Sequence, residues 1–159
     1  MISDASPLIF LSKIGRVDLL KLLFKIIIIT SEVRDEVLNE EKQEFNILKN
    51  AIEKGWIKIK DPKKNLDLGL GKGENSSINL AIELKDSLIT DDLSAVKSAK
   101  ALGINVLRTT TLIFLALNKK IISKKGALNL FNQIIDKGYY ISPQIYKEIV
   151  KELNYSQRL

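Results

Sequence analysis

The sequence predicts an α/β fold, a three-layer α/β/α sandwich around a mainly parallel sheet, and three observations carry this prediction. Apolar stretches of strand length alternate with stretches of helical spacing along most of the chain. The run Ile26-Ile27-Ile28-Ile29 is continuous and β-branched, which is typical of a parallel strand covered on both faces. The chain has 159 residues, 45% of them hydrophobic, and can bury one sizeable core. We therefore expect a single domain over residues 1–159.

The N-terminal half begins with a short buried strand at residues 1–3. Asp4 then opens a helix with Pro7 just inside its start, and the helical spacing that follows is broken near Gly15. After the isoleucine strand, Thr30 or Ser31 is expected to cap the next helix. This half continues with a helix, a second helix and an alternating strand, at residues 32–39, 45–54 and 56–60.

The C-terminal half begins with a glycine-dense loop at residues 69–73 that leads into a helix over residues 74–84. A strand, a helix, a strand and three helices are predicted after it, at residues 87–90, 92–102, 104–107, 109–118, 124–136 and 143–153. The last helix carries an apolar stripe, which we expect to pack on the protein's own fold; its members are Ile145, Ile149, Val150 and Leu153.

The composition excludes several kinds of chemistry. The chain has no cysteine and no histidine, so it can form no disulfide, no thiolate or imidazole zinc site and no Ser-His-Asp triad. Lys and Arg number 25 against 19 Asp and Glu, and the net charge of +6 favours an anionic partner such as nucleic acid. No apolar run approaches the roughly 20 residues of a membrane span, so we expect a cytoplasmic protein with no membrane contact.

Acidic residues fall where parallel sheets bind ligands, just outside the carboxyl ends of strands. Asp4 follows the first predicted strand directly, and Asp91 and Asp92 follow a later one. Glu74 heads the inward stripe of its helix, and Glu36 borders the buried face of another. Each acid alone could be a helix cap or a surface charge. Taken together, and without His or Cys, they indicate a site for Mg²⁺ or Mn²⁺.

The order of four short segments resembles the PIN domain family, the fold of the VapC-type toxin ribonucleases. The segments are Asp4-x-Ser6, Val33-x-x-Glu36, Gly71-x-Gly73-Glu74 and Thr90-Asp91-Asp92. They are most similar to a compact archaeal and bacterial branch that opens with Asp-x-Ser-Pro-Leu-Ile and carries Gly-x-Gly-Glu. The resemblance extends to about Leu117 and includes the turn at residues 138–142.

The resemblance implies a metal-dependent endoribonuclease that hydrolyses RNA phosphodiesters, and it suggests the toxin of a toxin–antitoxin pair. Its metal ligands would be Asp4, Glu36, Glu74 and an aspartate of the pair Asp91 and Asp92. Ser6 would orient Asp4 by a hydrogen bond. The expected partners are RNA, an antitoxin protein and a second copy of the chain. Among the basic residues, Lys72 and Arg108 are the expected RNA contacts.

A noncatalytic nucleic-acid-binding or protein-interaction module on the same scaffold is the main alternative. Dinucleotide or ATP binding is a weaker one, because the spacing of Gly69, Gly71 and Gly73 matches neither phosphate-binding pattern. A receiver-like phosphoacceptor would need an acidic pair near its first strand, and Asp4 has no acidic neighbour. Aromatic residues make up 6% of the chain, so base stacking along a sheet is not expected.

Overall fold

The computed structural model describes residues 1–155 and has a five-stranded sheet at its centre. All neighbouring strands are parallel, and their order is β3-β2-β1-β4-β5. The strands are short: β1 Ile2–Ser3, β2 Ile27–Ile29, β3 Ile57–Ile59, β4 Leu88–Ile89 and β5 Val106–Leu107. The predicted parallel sheet is thus confirmed.

Helices follow the strands in the predicted alternation. They are α1 Ala5–Lys13, α2 Asp18–Phe24, α3 Ser31–Val37, α4 Phe45–Glu53, α5 Lys72–Leu84, α6 Leu93–Ala101, α7 Thr109–Asn118, α8 Lys124–Asp136 and α9 Pro143–Tyr155. Within residues 1–155, none of these helices is long and apolar enough to cross a membrane.

The sheet is covered on both faces, as the isoleucine run predicts. Ile27 and Ile29 are fully buried in the larger apolar cluster, which contains side chains of α1, α2, α7 and α8. Ile28 points to the opposite face and packs against the smaller cluster, to which α5 and α6 contribute. Because successive strand residues face opposite sides, one β-branched run supplies both layers of the core.

Two elements differ from the sequence prediction in ways that matter for the site. Helix α5 begins at Lys72, so Gly73 is a helical residue and not part of the preceding loop. The last helix extends beyond residue 153, to Tyr155. Its Ile149 and Leu153 are buried in the larger cluster, whereas Ile145 is 45% exposed, so part of the apolar stripe packs on the protein's own fold.

The strand order places β1 at the point where the chain changes direction across the sheet. From β1 the chain moves outward to β2 and β3, and then returns to the other side of β1 as β4 and β5. Such a switch point leaves a crevice between the carboxyl ends of the two central strands. Asp4 follows β1 and Thr90 follows β4, so both lie at this crevice.

Candidate metal centre

Asp4 lies at the floor of the crevice and is only 2% exposed. It caps helix α1, where its Oδ1 accepts a hydrogen bond of 2.7 Å from the backbone N–H of Ala5. Its Oδ2 accepts a hydrogen bond of 3.0 Å from the hydroxyl of Thr90 at the end of β4. Both carboxylate oxygens therefore have fixed positions, set by the two central strands.

Burial is the largest influence on Asp4, and it raises the pKa of this carboxyl group to about 7. The hydrogen bonds from Ala5 and Thr90 favour the charged form and act against the increase. The negative charges of Glu74 and Glu36 act with burial, because a second and third carboxylate disfavour ionisation of the first. Near neutral pH, Asp4 therefore holds a proton about half of the time unless a cation is bound.

Glu36 on α3 and Glu74 in the first turn of α5 lie near enough to Asp4 for their charges to act on it, and the three are called the acid cluster here. Partial burial and the charge of Glu74 raise the pKa of Glu36, while Lys42 lowers it. The three carboxylates thus repel one another.

Gly73 is the reason that α5 can approach the acids so closely. A Cβ atom at this position would lie 3.1 Å from Oε2 of Glu36 and 3.5 Å from Oδ1 of Asp4. Both carboxylates therefore lie within contact distance of the position that a side chain at Gly73 would occupy. A buried hydrogen bond of 2.7 Å between the hydroxyls of Thr30 and Ser76 joins the start of α3 to α5.

The donor set fits a hard divalent cation. Within residues 1–155, no three or more acidic side chains form a group that could hold a metal ion as their side chains now stand. Asp4, Glu36 and Glu74 offer only oxygen donors, and a bound cation would relieve both their mutual repulsion and the raised pKa values of Asp4 and Glu36. Their side chains would hold the ion, and Mg²⁺ or Mn²⁺ matches their chemistry.

An open cleft of about 890 Å³ is lined by Glu36 and Glu74, while Asp4 is buried and is not part of its lining. Its wall at residues 65–68 is attached to α5 by two asparagine side chains. The backbone N–H of Leu66 donates to Oδ1 of Asn79 at 3.1 Å, and that of Leu68 donates to Oδ1 of Asn75 at 2.7 Å. Helix α5 therefore carries both Glu74 and the anchors of the cleft wall.

Asp91 faces away from the cluster. Its Oδ1 accepts hydrogen bonds from the backbone N–H of Thr109 at 2.9 Å and the hydroxyl of Tyr139 at 2.6 Å. Its Oδ2 accepts a bond of 2.5 Å from the hydroxyl of Thr109. Burial and the charge of Asp91 raise the pKa of Tyr139, so this phenol remains a donor. Asp91 therefore joins the start of α7 to the turn before α9.

Asp92 is exposed at the start of α6. Its Oδ1 accepts a hydrogen bond of 2.7 Å from the backbone N–H of Ala95 and so caps α6. Its own backbone N–H donates to the Thr90 hydroxyl at 3.3 Å, the same hydroxyl that donates to Asp4. Asp92 is thus connected to Asp4 through Thr90.

Comparison with known proteins identifies the family. A family model described as PIN domain, DUF3368, matches residues 1–155. The chain belongs to the PIN domain family. PIN domains are generally nucleases, and they generally use divalent metals.

A solved structure has a similar fold: a PilT N-terminus domain protein from the hyperthermophilic archaeon Sulfolobus solfataricus P2, at a TM-score of 0.50. The two sequences are 20% identical, and the match covers 74% of this chain and 94% of the other. This likeness concerns the fold alone. Among proteins with curated descriptions, none matches this PIN domain significantly.

Ser6 makes a different hydrogen bond from the expected one. Its hydroxyl accepts a hydrogen bond of 3.3 Å from the backbone N–H of Asp91, and the hydroxyl that orients Asp4 belongs to Thr90. The reason is geometric: Ser6 is in the first turn of α1 and faces the end of β4, whereas Thr90 ends a strand directly beside β1. Thr90, Gly73 and Tyr139 are thus contributors that sequence reasoning did not identify, although Thr90 directly precedes the acid pair.

The two basic residues lie on different sides of this PIN domain site. Lys72 is exposed at the rim of the cleft, as the first residue of α5. Arg108 precedes α7, beside Asp91, with its Nε 3.8 Å from Oδ1 of that residue.

Replacing Gly73 by Ala should lower any activity of this site without lowering stability. The new methyl group would press on the carboxylate of Glu36 at 3.1 Å and approach Asp4, which displaces the acids. Alanine should also favour the helix by up to about 1 kcal/mol. The matched control is Gly126→Ala near the start of α8, far from these acids in the sequence. Cleavage assays and thermal melts of both variants check this, and a fully active Gly73→Ala enzyme would contradict it.

Proposed function

We propose that this PIN domain is an endoribonuclease that hydrolyses RNA phosphodiesters with Mg²⁺ or Mn²⁺. The observation that supports the proposal best is the set of three mutually repelling carboxylates, Asp4, Glu36 and Glu74, beside an open cleft. We assign these three as the metal ligands and Asp92 as an additional acid beside them. Asp91 is a positioning residue in this scheme, because its two oxygens already accept hydrogen bonds from Thr109 and Tyr139.

Hydrolysis of a phosphodiester needs a polarised water, neutralisation of charge on the phosphoryl oxygens and stabilisation of the leaving oxygen, and a divalent cation supplies these when bound. The chain's own part is to hold Asp4 rigidly, through Ala5 and Thr90, while Glu36 and Glu74 flank it. The cleft is strongly acidic, and its charged lining residues are Glu32, Asp35, Glu36, Asp67 and Glu74, with Lys72 as its one base among the described residues. Such a cleft repels the phosphate to be cleaved when no cation is bound, so binding of that phosphate and metal binding should be linked, whereas RNA contacts outside the cleft do not need the metal.

The test is cleavage of a single-stranded RNA that carries a fluorophore at its 5′ end. We expect the purified protein to cut it in Mn²⁺ or Mg²⁺ and to stop when EDTA is added. A DNA strand of the same sequence is the control for substrate class. Binding of the RNA without metal-dependent cleavage would instead favour the noncatalytic module. Cleavage that persists in EDTA would contradict the metal assignment.

The proposed partners are RNA, an antitoxin protein and a second copy of this chain. The net charge of +6 supports an anionic substrate. Ile145, at the start of α9, is 45% exposed, whereas the stripe's Ile149 and Leu153 are buried in the protein's own core. The homodimer and the toxin role therefore stay predictions. A strictly monomeric mass in light scattering at tens of micromolar would contradict the homodimer.

A further inference from the structure

A second cavity is lined by Arg108 and Tyr139, the two residues whose side chains contact the carboxylate of Asp91. Its volume is about 230 Å³, and large apolar side chains form its walls although they are open to solvent. Leu93 is 61% exposed, Tyr140 79% and Ile145 45%. The hydroxyl-bearing residues Thr110 and Ser142 also line it. Three large apolar groups around one small cavity are unusual for surface side chains that serve no binding purpose.

Arg108 gives this cavity a positive charge. Its Nε is buried and has no hydrogen-bond partner among the described residues, since the nearest carboxylate oxygen, of Asp91, is 3.8 Å away. The guanidinium carbon lies 5.9 Å from the ring centroid of Tyr139, and the side chain is 33% exposed. The buried Nε forms an ion pair with Asp91, so only the exposed part of this side chain can meet a ligand. A guanidinium at the edge of an apolar cavity suits an anionic ligand that has a flat apolar part.

The cavity and the acid cluster flank the same strand end. Thr90 and Asp91 are consecutive, yet the hydroxyl of Thr90 donates to Asp4 while the carboxylate of Asp91 binds Tyr139 and lies beside Arg108. A single strand of RNA that crosses the carboxyl edge of the sheet at β4 can therefore contact both places.

We propose that this cavity is a nucleotide subsite that receives one unpaired base of the RNA strand cut at the acid cluster. The base stacks on Tyr140 between the side chains of Leu93 and Ile145, and Arg108 binds a neighbouring phosphate. This inference rests on the proposed function. The volume supports one base, because it is below the roughly 300 Å³ at which pockets for drug-sized ligands begin.

RNA suits the cavity better than an apolar side chain of a protein partner, because the lining combines a guanidinium and two hydroxyl-bearing residues with the apolar walls. The low aromatic content does not oppose this reading. A single exposed ring, in the turn before α9, provides the stacking surface, and no aromatic row along the sheet is needed.

The experiment measures the affinity of a 5′-labelled decauridylate by fluorescence anisotropy in EDTA, where a metal-dependent enzyme leaves the strand intact. Tyr140→Ala should weaken binding roughly 5- to 150-fold, the effect of losing one stacked base. Tyr140→Phe keeps the ring and should bind like wild type. Leu102→Ala is the matched surface control, since Leu102 is 48% exposed and lies at the end of α6, outside the cavity.

An abasic strand with the same backbone separates stacking from charge. It should bind more weakly than decauridylate, and Tyr140→Ala should not weaken it further. Arg108→Gln should weaken both strands, because it removes a phosphate contact. If Tyr140→Ala binds decauridylate as wild type does, the subsite is refuted, and a protein side chain becomes the better occupant. A different outcome separates the two proposals. If Tyr140→Ala loses base-dependent binding and the wild-type protein does not cleave RNA, the subsite is supported and the nuclease proposal fails.

Discussion

Replacing Asp4 by Asn should abolish metal-dependent cleavage of RNA and leave the fold intact. Asp4 is the most buried of the three carboxylates, and hydrogen bonds from Ala5 and Thr90 fix both of its oxygens. Asparagine offers one neutral oxygen and so removes the charge that would hold the cation. Mutation of a residue that only supports a metal ligand typically lowers metal affinity or activity by about 10- to 100-fold. We therefore expect the loss of a ligand to lower the cleavage rate by more than about 100-fold.

The variant should still fold, because asparagine caps a helix nearly as well as aspartate does. The Thr90 hydroxyl can also rotate to accept a hydrogen bond from the new amide group. Asp136→Asn, at the exposed C-terminal end of α8, is the matched control and should cleave at the wild-type rate. The measurement is the initial rate of cleavage in Mn²⁺, with circular dichroism to verify folding. An Asp4→Asn protein that retains wild-type activity would remove Asp4 from the metal site.

The second expected result concerns stability: in EDTA at pH 8, Asp4→Asn should melt at a higher temperature than wild type. The pKa of Asp4 rises from 3.8 to about 7 in the folded protein, so the folded state binds this proton more tightly than the unfolded state. Stability is therefore lost as pH increases from about 4 through 7, and the loss is complete above pH 7. The difference corresponds to about 4 kcal/mol, or about 10 °C in Tm.

Asparagine is neutral at every pH, whereas Asp4 of the wild type is protonated in the folded state near pH 4. The difference in melting temperature between Asp4→Asn and wild type should therefore vanish near pH 4. Millimolar Mn²⁺ should reverse the order at pH 8, because a ligand of the folded state alone adds about 2.7 kcal/mol at a hundredfold excess over Kd. Thermal melts of both proteins across pH, with EDTA and with Mn²⁺, provide the measurement. Equal shifts of the two proteins by Mn²⁺ would mean that Asp4 does not bind the metal.

The sequence was sufficient to predict the parallel sheet, the helix order and the place of Asp4 at the carboxyl end of β1, because local patterns determine these features. Strand-length apolar runs identify the sheet, and an acid directly after a strand must lie at its carboxyl edge. The caps also followed local rules: Thr30 caps α3, and Asp92 caps α6.

What could not be predicted depends on contacts between distant parts of the chain. Two consecutive aspartates after a strand project in different directions, and no local pattern decides which of them faces the site. Here Asp91 is turned away by Thr109, 18 residues later, and by Tyr139, 48 residues later. The sequence pattern assigned Gly73 to the glycine-dense loop at residues 69–73. Only the packed structure reveals that Gly73 is helical and that its missing side chain leaves room for Glu36.

The hydrogen bond between Thr90 and Asp4 joins residues that are 86 positions apart, and β1 is paired to both β2 and β4. During synthesis, the ribosome must therefore produce more than half of the chain before Asp4 can be held in place. Contacts this distant in sequence form late in folding, because the intervening segment must first be ordered. A truncated or nascent chain that ends before β4 lacks the partner of its first acid. In the proposed nuclease, this order of assembly would delay cutting until the central strands of the sheet have paired.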